Sequence, residues 1–372
     1  MLPARELQKK GAKITWLNLG DPDKFDFDPP PHMKKAVIKA VKEYNGYADS
    51  EGLLELRDAV ARREKEKNHI SLTATDIIVT NGTSESIQMV YGALLNPGDE
   101  ILIPGPVYPP YAGLAHFFDA KPVFYKTVEE ENWAPDMADI RQKITEKTKA
   151  IVIINPNNPT GALYSRKVLE MIGDITAEHN LILIADEIYD TMVYEEPHYS
   201  LSCVKDIPVI IVNGISKAYL STGWRVGWTI FRDYNDGLSE IKEACLKQAR
   251  LRISANTIMQ KAAAAGLNGP QAHVKDMVHR LKERRDYIHE RLNEIEGISA
   301  QKPAGAFYIF PKIEENDDKK FVLDVLQKAH VLFVHGSGFG SHGDGHFRSI
   351  FLPSVAVIER AMNALETFMK ER

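Results

Sequence analysis

Short apolar runs alternate along the chain with longer segments in which apolar residues recur at helical spacing. The runs are rich in Ile and Val and are bounded by Asn, Asp, Gly and Pro, which is typical of strands buried on both faces. Helical spacing is clearest over Ser84–Leu95 and Ser165–His179, and Ser165 is a suitable N-cap. The pattern predicts strands at Asp76–Thr80, Glu100–Ile103, Pro122–Tyr125, Ala150–Ile154, Leu181–Ala185, Val209–Val212 and Val226–Ile230.

This alternation predicts an α/β fold with a mostly parallel, seven-stranded sheet sandwiched by helices. In such sheets, ligands bind beyond the carboxyl ends of the strands. We therefore expect functional residues directly after the apolar runs.

The pattern changes after about residue 270. Gln271–Glu296 combines charged residues with one apolar stripe, which predicts a long helix with a solvated face. Met1–Pro31 has little periodicity and is expected to pack beside the tail of the chain. We predict an N-terminal segment 1–32, a large domain 33–275 and a smaller α+β domain 276–372 formed with both chain ends. The predicted elements of the tail are strands Ala306–Pro311, Val331–Val334 and His346–Leu352 and the helix Val355–Lys370.

Composition limits the classes of partner. The chain has 372 residues and a net charge of −5, so it lacks the basic surface of a nucleic-acid-binding protein. Its two cysteines are too few for a disulfide scaffold or a Cys-rich metal site, and no metal-binding residue is predicted. The densest apolar runs are far shorter than the roughly 20 residues of a membrane span. No signal segment opens the sequence, so we expect a cytoplasmic protein without membrane or nucleic-acid partners.

Two neighbouring strand ends carry polar groups suited to a ligand. Ile151–Gly161 reads IVIINPNNPTG, and its prolines restrict the residues before them to extended conformations. An amide held this rigidly is a good donor to a ligand oxygen, although an ordinary turn would explain the same residues. Asp186 follows the next strand, where a carboxylate is costly without a cationic partner, and Tyr189 lies three residues further on. Helix capping is the alternative for Asp186.

Cationic side chains follow the strand Val209–Val212. A lysine in the position of Lys217, after Ser216, can be partly desolvated, which lowers its pKa and exposes the nucleophilic amine that Schiff-base chemistry requires. Arg225 suits bidentate binding of phosphate. Solvent exposure and a surface ion pair are the ordinary alternatives for these two side chains.

A candidate anion site lies at the start of the helix near Ser84. Backbone amides at a helix N-terminus, with Gly82 and the hydroxyls of Thr83 and Ser84, can bind an anion, while plain N-capping explains Ser84 equally well. Several such features at successive strand ends favour one phosphorylated ligand over separate coincidences.

A glycine motif near the C-terminus does not indicate a dinucleotide site. Gly338, Gly340 and Gly343 match the spacing G-x-G-x-x-G of a dinucleotide site. A strand-like segment follows them, however, and too little chain remains for a βαβ unit. We expect a tight glycine loop near a ligand or another chain.

The order of these motifs resembles that of fold-type I enzymes that use pyridoxal 5′-phosphate (PLP). NPNNPTG, ADEIYD and SKAYLSTGWRVG look like the class I/II aminotransferase signatures, and the likeness extends from Asn18 to about Arg360. PGPVYPPY, KPAGAFYIFPKIE and VLFVHGSGFG look most like archaeal alanine aminotransferase-type enzymes.

The resemblance implies a role for each candidate residue. Lys217, Asp186 and Tyr189 would be catalytic: Lys217 forms a Schiff base with PLP and then acts as base and acid, and Asp186 pairs with the pyridine nitrogen, which strengthens the ring as an electron sink. At the cofactor ring, the resemblance implies that Asn158 and Tyr189 contact the phenolate oxygen and that Tyr108 stacks on the ring face. The residues implied at the phosphate are Gly82, Thr83, Ser84, Ser216 and Arg225, together with Tyr47 from the neighbouring subunit of a homodimer. At the substrate, the resemblance implies Gly20, Asn158 and Arg348, with Arg348 on the α-carboxylate.

The sequence departs from the family pattern at two places. Gly214 stands where many relatives have a Ser on the phosphate, and Ser216 could replace that contact. The chain starts at Met-Leu-Pro-Ala-Arg, whereas close relatives carry extra residues that pack on the partner subunit. We expect the second departure to affect closure of the site rather than cofactor binding.

Transamination from an L-amino acid, with alanine the leading donor, to 2-oxoglutarate is the functional prediction. An aspartate donor needs a second cation, which Arg250 or Arg252 could supply unless both are structural. An aromatic donor would need an open apolar pocket. A PLP-dependent lyase or decarboxylase and a non-catalytic PLP-binding module are the other classes that this scaffold can support.

Overall fold

The apolar runs of the sequence form the centre of one large sheet. The structure, a computed structural model, describes residues 2–203, 206–315 and 317–372. Met1, the first residue of the predicted N-terminal segment, lies outside these ranges. The strands are β1 (Thr15–Trp16), β2 (Ile77–Thr80), β3 (Glu100–Gly105), β4 (Lys121–Val128), β5 (Ala134–Pro135), β6 (Thr148–Ile154), β7 (Ile182–Asp186), β8 (Val209–Gly214), β9 (Gly227–Arg232), β10 (Ile298–Ser299), β11 (Tyr308–Ile309), β12 (Lys312–Ile313), β13 (Val331–Leu332), β14 (Val334–His335) and β15 (Phe347–Ile350).

Within the described residues, the large sheet has eight strands in the order β2-β9-β8-β7-β6-β3-β4-β5. Its centre, from β8 to β4, is parallel, and the pairs β2–β9, β9–β8 and β4–β5 are antiparallel. The predicted α/β class and all seven predicted strands are confirmed. The predicted number of strands is one too few, because β5 has only two residues and forms no apolar run.

Both faces of the sheet are buried, which explains the uninterrupted apolar runs. In β6, Ile151 and Ile153 pack into one hydrophobic cluster, whereas Val152 and Ile154 pack into a second cluster on the other face. Because successive side chains of a strand point to opposite faces, only a strand covered on both sides keeps every position apolar.

Helices cover the two faces of this sheet and form much of the C-terminal part. Ser165 caps its helix as predicted, with its Oγ accepting from the amide of Val168. In the described part of the chain, no helix combines the length and the apolarity needed to cross a membrane. The helices are α1 (Leu2–Lys9), α2 (Pro31–Glu43), α3 (Leu54–Asn68), α4 (Thr83–Leu94), α5 (Pro110–Phe117), α6 (Met137–Lys143), α7 (Arg166–Glu178), α8 (Ser239–Arg252), α9 (Thr257–Asn268), α10 (Ala272–Glu294), α11 (Asp318–Ala329) and α12 (Val355–Lys370).

A third hydrophobic cluster combines residues from both ends of the chain. Leu17 and Phe27 from the N-terminal part pack with side chains of α10, α12 and β15. β1 pairs in parallel with β13. The N-terminal part also contains α1, which the sequence pattern did not predict; its Ala4 is buried against Leu326 and Leu332.

The glycine segment near the C-terminus forms a tight loop. A short 3₁₀ turn, Gly336–Phe339, opens it, and the strand β15 follows rather than a helix. The amide of Val107 donates to the carbonyl of Phe339 at 2.9 Å, which ties the loop to the large sheet. The loop thus lies beside the carboxyl ends of the strands.

Candidate active site

A cavity of about 210 Å³ lies where the carboxyl ends of the central strands meet the third cluster. All of the predicted site residues line it except Gly82 and Tyr47. They come from separate parts of the sequence: most lie at or after the ends of several strands of the large sheet, Gly20 belongs to the N-terminal part, and Arg348 lies on β15.

Lys217 reaches into this cavity from the segment after β8. Its ammonium donates to the carbonyl of Gly20 at 2.8 Å. Burial lowers the pKa of Lys217 to about 8; the attraction of Asp21 opposes this shift, and the positive charges of Arg348 and Arg225 add to it. At neutral pH a larger fraction of this amine is therefore uncharged than in an ordinary lysine.

Asp186 is the last residue of β7, and its carboxylate is held from two sides. The hydroxyl of Tyr111 donates to Oδ2 at 2.8 Å, and the amide of Ile188 donates to Oδ1 at 3.1 Å. Burial raises the pKa of Asp186 to about 6 in spite of these hydrogen bonds. A buried carboxylate of this kind gains most from a cationic N–H donor.

The N-terminus of α4 and Arg225 together form an anion site. Gly82 has φ +87°, and a Cβ there would lie 2.3 Å from Nη2 of Arg225, so the guanidinium stands directly over the glycine. Thr83 and Ser84 open the helix at the same place and line the cavity. Arg225 has no carboxylate partner within the described residues, which leaves its charge available to an anion.

Arg348, on β15, is buried and lines the same cavity. Its Nη1 donates to Oδ1 of Asn158 at 2.8 Å, and its Nη2 donates to the carbonyl of Asn18 at 2.7 Å. The guanidinium lies over the rings of Tyr308 and Phe339, 4.5 Å and 4.9 Å from their centroids. Burial lowers the pKa of Arg348, and no carboxylate within the described residues balances its charge.

Sequence reasoning missed Tyr308 and Tyr111, which contact the predicted residues directly. The hydroxyls of Tyr308 and Tyr189 lie 2.8 Å apart, and the Tyr111 hydroxyl donates to Asp186. Both tyrosines belong to segments that carried the resemblance, PGPVYPPY and KPAGAFYIFPKIE. A signal was therefore present, but it did not indicate which side chain of each segment points inward.

Three further residues lie outside the cavity. Tyr47 is 82% exposed, so its predicted contact with a neighbouring subunit is not tested within one chain. Arg252 is bound to Glu85 and to the carbonyls of Val79 and Ser50. Arg250 is on the surface, where it pairs with Glu243.

The position of Gly214 has a steric explanation. A Cβ at this residue would lie 2.7 Å from the carbonyl of Val226 and 2.9 Å from Cα of Gly227, on the paired strand β9. A serine would therefore require β8 and β9 to separate. Ser216, which the resemblance offers in its place, is buried and lines the cavity.

The donor set of the cavity fits PLP. Arg225 and the start of α4 match a phosphate, the buried carboxylate of Asp186 matches a protonated ring nitrogen, and the amine of Lys217 matches an aldehyde carbon. The unbalanced charge of Arg348 is available to a second anion. These groups fit the cofactor that the resemblance implied.

Comparisons with known proteins agree with this chemistry. The family "Aminotransferase class I and II" matches residues 12–365. Glutamate-pyruvate aminotransferase AlaA from Haemophilus influenzae is 39% identical, with 99% of this chain and 93% of that protein aligned. The structure of an alanine aminotransferase from Pyrococcus furiosus matches with a TM-score of 0.98 at 59% identity, covering 100% of this chain and 96% of that one. An aromatic aminotransferase from Pyrococcus horikoshii matches with a TM-score of 0.91 at 35% identity, covering 99% of each chain. The chain belongs to the class I and II aminotransferases and is an enzyme that uses PLP to transfer amino groups.

Proposed function

We propose that this aminotransferase moves the amino group of L-alanine to 2-oxoglutarate. The charge of the cavity carries the proposal: among the described residues that line it, the cations are Lys217, Arg225 and Arg348. The first two suit the cofactor and the third suits the α-carboxylate, so the cavity itself offers no cation to the side chain of an aspartate donor. The similarity to proteins named alanine aminotransferases supports the same donor.

Arg348 is suited to bind the α-carboxylate that all amino acid substrates share. Its guanidinium is oriented by Asn158 and by the carbonyl of Asn18, which leaves one edge of the fork for a ligand. Because a buried guanidinium without an anion is unfavourable, an anionic substrate stabilises the site by supplying the missing charge. Gly20, whose chain segment also lines the cavity, would approach the same carboxylate.

Asp186 would hold the ring nitrogen of the cofactor in its protonated form. When bound, PLP supplies an electron-withdrawing ring that stabilises the negative charge developing at Cα of the substrate. The hydrogen bonds from Tyr111 and from the amide of Ile188 fix the carboxylate oxygens, so Asp186 does not have to reorganise during the reaction.

Lys217 would hold the cofactor through its amine and then move the proton at Cα. A base with a pKa near the working pH is suited to accept and return a proton, and burial places the pKa of Lys217 at about 8. Tyr189 and Asn158 would donate to the phenolate oxygen. The hydrogen bond of Tyr189 to Tyr308 orients its hydroxyl for this role.

Two other outcomes remain as alternatives on the same fold. An aspartate or aromatic amino acid could be the preferred donor, since an aromatic aminotransferase shares this architecture. A lyase or decarboxylase would use the same proton transfer and the same electron sink. The positions of Arg250 and Arg252 give no support to an aspartate side chain, because each is engaged elsewhere in the chain.

A panel of amino donors with 2-oxoglutarate tests the proposal. We expect kcat/KM for alanine to exceed that for aspartate and for phenylalanine by about tenfold or more. Alanine alone should bleach the absorbance of the bound cofactor, and 2-oxoglutarate should restore it. Release of ammonia or carbon dioxide, without recovery of the absorbance, would contradict transamination.

We also propose a homodimer with a site at each end of the interface. The supporting feature is the exposure of large apolar side chains, among them Ile38, Tyr47 and Leu251, which are 61%, 82% and 86% exposed. Arg252, the residue after Leu251, ties the end of α8 to the segment that follows Tyr47, since its Nη2 donates to the carbonyl of Ser50 at 2.7 Å. In this arrangement Tyr47 would reach the phosphate in the partner subunit.

We further propose two domains, residues 33–275 and 276–372, with the segment 1–32 packed on the second. The support is that the hydrophobic cluster of the chain ends is separate from the two clusters that cover the large sheet. A cytoplasmic location is proposed as well. Cys203 and Cys245 are both free thiols, as a reducing compartment favours, and cell fractionation tests this.

A further inference from the structure

A second cavity, of about 380 Å³, lies next to the active-site cavity. Leu19 lines both of them. The other walls of the second cavity include Arg5 and Gln8 from α1, Trp16 from β1, and Lys24 and Phe25 from the following segment. None of these residues belongs to the predicted active site.

The second cavity has a positive charge that its own residues do not balance. Of the described residues, no Asp or Glu lines it, and Arg5 makes no ion pair. Lys24 pairs with Asp21 at 3.5 Å, but the Lys24 side chain is 60% exposed. An ion pair this exposed contributes little, so Lys24 can exchange it for a better anion.

The fold fixes this cavity beside the α-carboxylate site. Arg348 donates to the carbonyl of Asn18, the residue before Leu19, at 2.7 Å. A substrate held by Arg348 therefore has Leu19 beside it, and the second cavity lies beyond Leu19. The position of α1 is fixed by Ala4, which is buried against Leu326 and Leu332.

Helical geometry directs the polar groups of α1 to one side. Arg5 and Gln8 are three residues apart, and side chains at this spacing share a face of a helix. The buried Ala4 anchors α1 one turn before Gln8, and Arg5 lies about 100° around the helix from it. α1 therefore presents a guanidinium and an amide together to the cavity.

The proposed reaction requires a site of this kind. Alanine and pyruvate carry one carboxylate each, whereas glutamate and 2-oxoglutarate carry a second one at the far end of a short carbon chain. The cations of the active-site cavity are assigned to the cofactor and to the α-carboxylate, and Arg250 and Arg252 are engaged elsewhere. The dicarboxylic substrate still needs a partner for its distal carboxylate.

We propose that Arg5 and Lys24 bind the distal carboxylate of the dicarboxylic substrate, with Leu19 as the boundary between the two subsites. This inference rests on the proposed function. It also explains how one site accepts both substrates: the methyl group of pyruvate stops at Leu19, and the longer chain of 2-oxoglutarate continues past it to the cations.

Single-turnover kinetics of the holoenzyme, after conversion to its amino form, test the proposal. The variants are Arg5→Gln and Lys24→Gln, and the acceptors are 2-oxoglutarate and pyruvate. We expect the apparent dissociation constant of 2-oxoglutarate to rise about tenfold, the loss of one charge-assisted contact, and that of pyruvate to stay within about twofold. Arg5→Lys should recover part of the affinity for 2-oxoglutarate.

The control is Lys10→Gln, which removes a nearby exposed charge that does not line either cavity. Equal weakening of both acceptors, an unchanged affinity for 2-oxoglutarate, or the same effect in Lys10→Gln would overturn the inference. A different result would contradict the proposed function itself: an unmodified enzyme that does not exchange amino groups between alanine and 2-oxoglutarate. If the unmodified enzyme does exchange these amino groups, and the variants keep its relative affinity for 2-oxoglutarate and pyruvate, only the proposed distal site is rejected.

Discussion

At the scale of single residues, burial shifts the pKa of two groups that the proposed mechanism uses. It lowers the pKa of Lys217 to about 8 and raises that of Asp186 to about 6. Each shift brings a side chain closer to neutrality near pH 7. Lys217 thereby gains nucleophilic character, and Asp186 becomes a strong acceptor for a cationic N–H group.

The lowered pKa predicts that Lys217 reacts at a lower pH than other lysines. In protein freed of cofactor, acetylation of Lys217 should be half-maximal near pH 8. Lys320 is an internal control, because its hydrogen bond to Asp324 raises its pKa above the usual value. Trace labelling followed by peptide mass spectrometry measures both residues in one sample. Coincident profiles for the two lysines would show that burial does not activate Lys217.

Asp190 illustrates a buried charge with a structural role behind the site. It follows Tyr189, and its Oδ2 lies 2.5 Å from Arg63 Nη2 and 2.5 Å from Lys67 Nζ. Asn213, at the end of β8, donates to the same oxygen. Burial alone would raise the pKa of Asp190, but the attraction of Arg63 and Lys67 prevails and holds it well below its usual value. One carboxylate thus joins α3 to the segments that carry Tyr189 and Lys217.

Removing this charge should destabilise the fold. We expect Asp190→Asn to lower the free energy of unfolding by about 3–5 kcal/mol, because the buried cations lose their partner. Glu170→Gln, which breaks an exposed pair with Arg166, is the matched control and should cost less than about 1 kcal/mol. Urea denaturation measures both. An equal, small loss in the two variants would contradict the role of Asp190.

The pH dependence of this difference has a definite sign. The pKa of Asp190 is lower in the folded protein than in the unfolded chain, so its contribution is present above the unfolded value of 3.8 and is lost as the pH falls below that value. The difference between the unmodified protein and Asp190→Asn should therefore be the same at about pH 7 and pH 5 and should shrink in stronger acid.

At the scale of elements, the turn from β2 into α4 sets the geometry of the anion site. Gly82 adopts φ +87°, which side chains disfavour, and it leaves space for the guanidinium of Arg225. The amides of Thr83 and Ser84 then open the helix beside that guanidinium. A small residue in a left-handed turn is what brings a helix N-terminus and an arginine to the same anion.

Gly82→Ala should therefore weaken binding of the cofactor. The added Cβ would displace the flexible end of Arg225 from its position, and we expect the dissociation constant of PLP to rise about tenfold, equivalent to roughly 1.4 kcal/mol. Gly113→Ala is the control, since nothing lies within 4 Å of a Cβ there and the residue is in the helix α5. Absorbance titration of the cofactor-free variants measures the effect; equal affinities would contradict it.

The sequence predicted helices and strands where one hydrophobic periodicity extends over many residues. It did not predict contacts between segments that are distant in the chain. The runs of β6 and β7 predicted buried strands because both of their faces are covered. β5 and α1 are short and carry little pattern. The pair of Tyr189 and Tyr308 depends on how the C-terminal part packs on the sheet, which no local pattern records. The resemblance predicted which residues line the cavity, and packing determines their partners.

At the scale of the whole molecule, the site is built from distant parts of the chain. Lys217 and Asp186 come from the large sheet, and Arg348 comes from β15 in the cluster of the chain ends. A relative movement of these two parts would change the distance between cofactor and α-carboxylate. Tyr47 is 82% exposed and does not line the cavity, so we expect any role at a site to be in a second subunit.

Mixed dimers test whether Tyr47 acts across the interface. Tyr47→Ala should lower activity because every site loses a contact to the phosphate, and Lys217→Ala should be inactive. If the contact comes from the partner, a mixed dimer of the two variants contains one complete site, because one subunit supplies Lys217 and the other supplies Tyr47. After equal mixing with exchange of subunits, about a quarter of the sites should be complete, and activity should rise above the mean of the separate variants. Activity equal to that mean would place Tyr47 in its own subunit's site or in none.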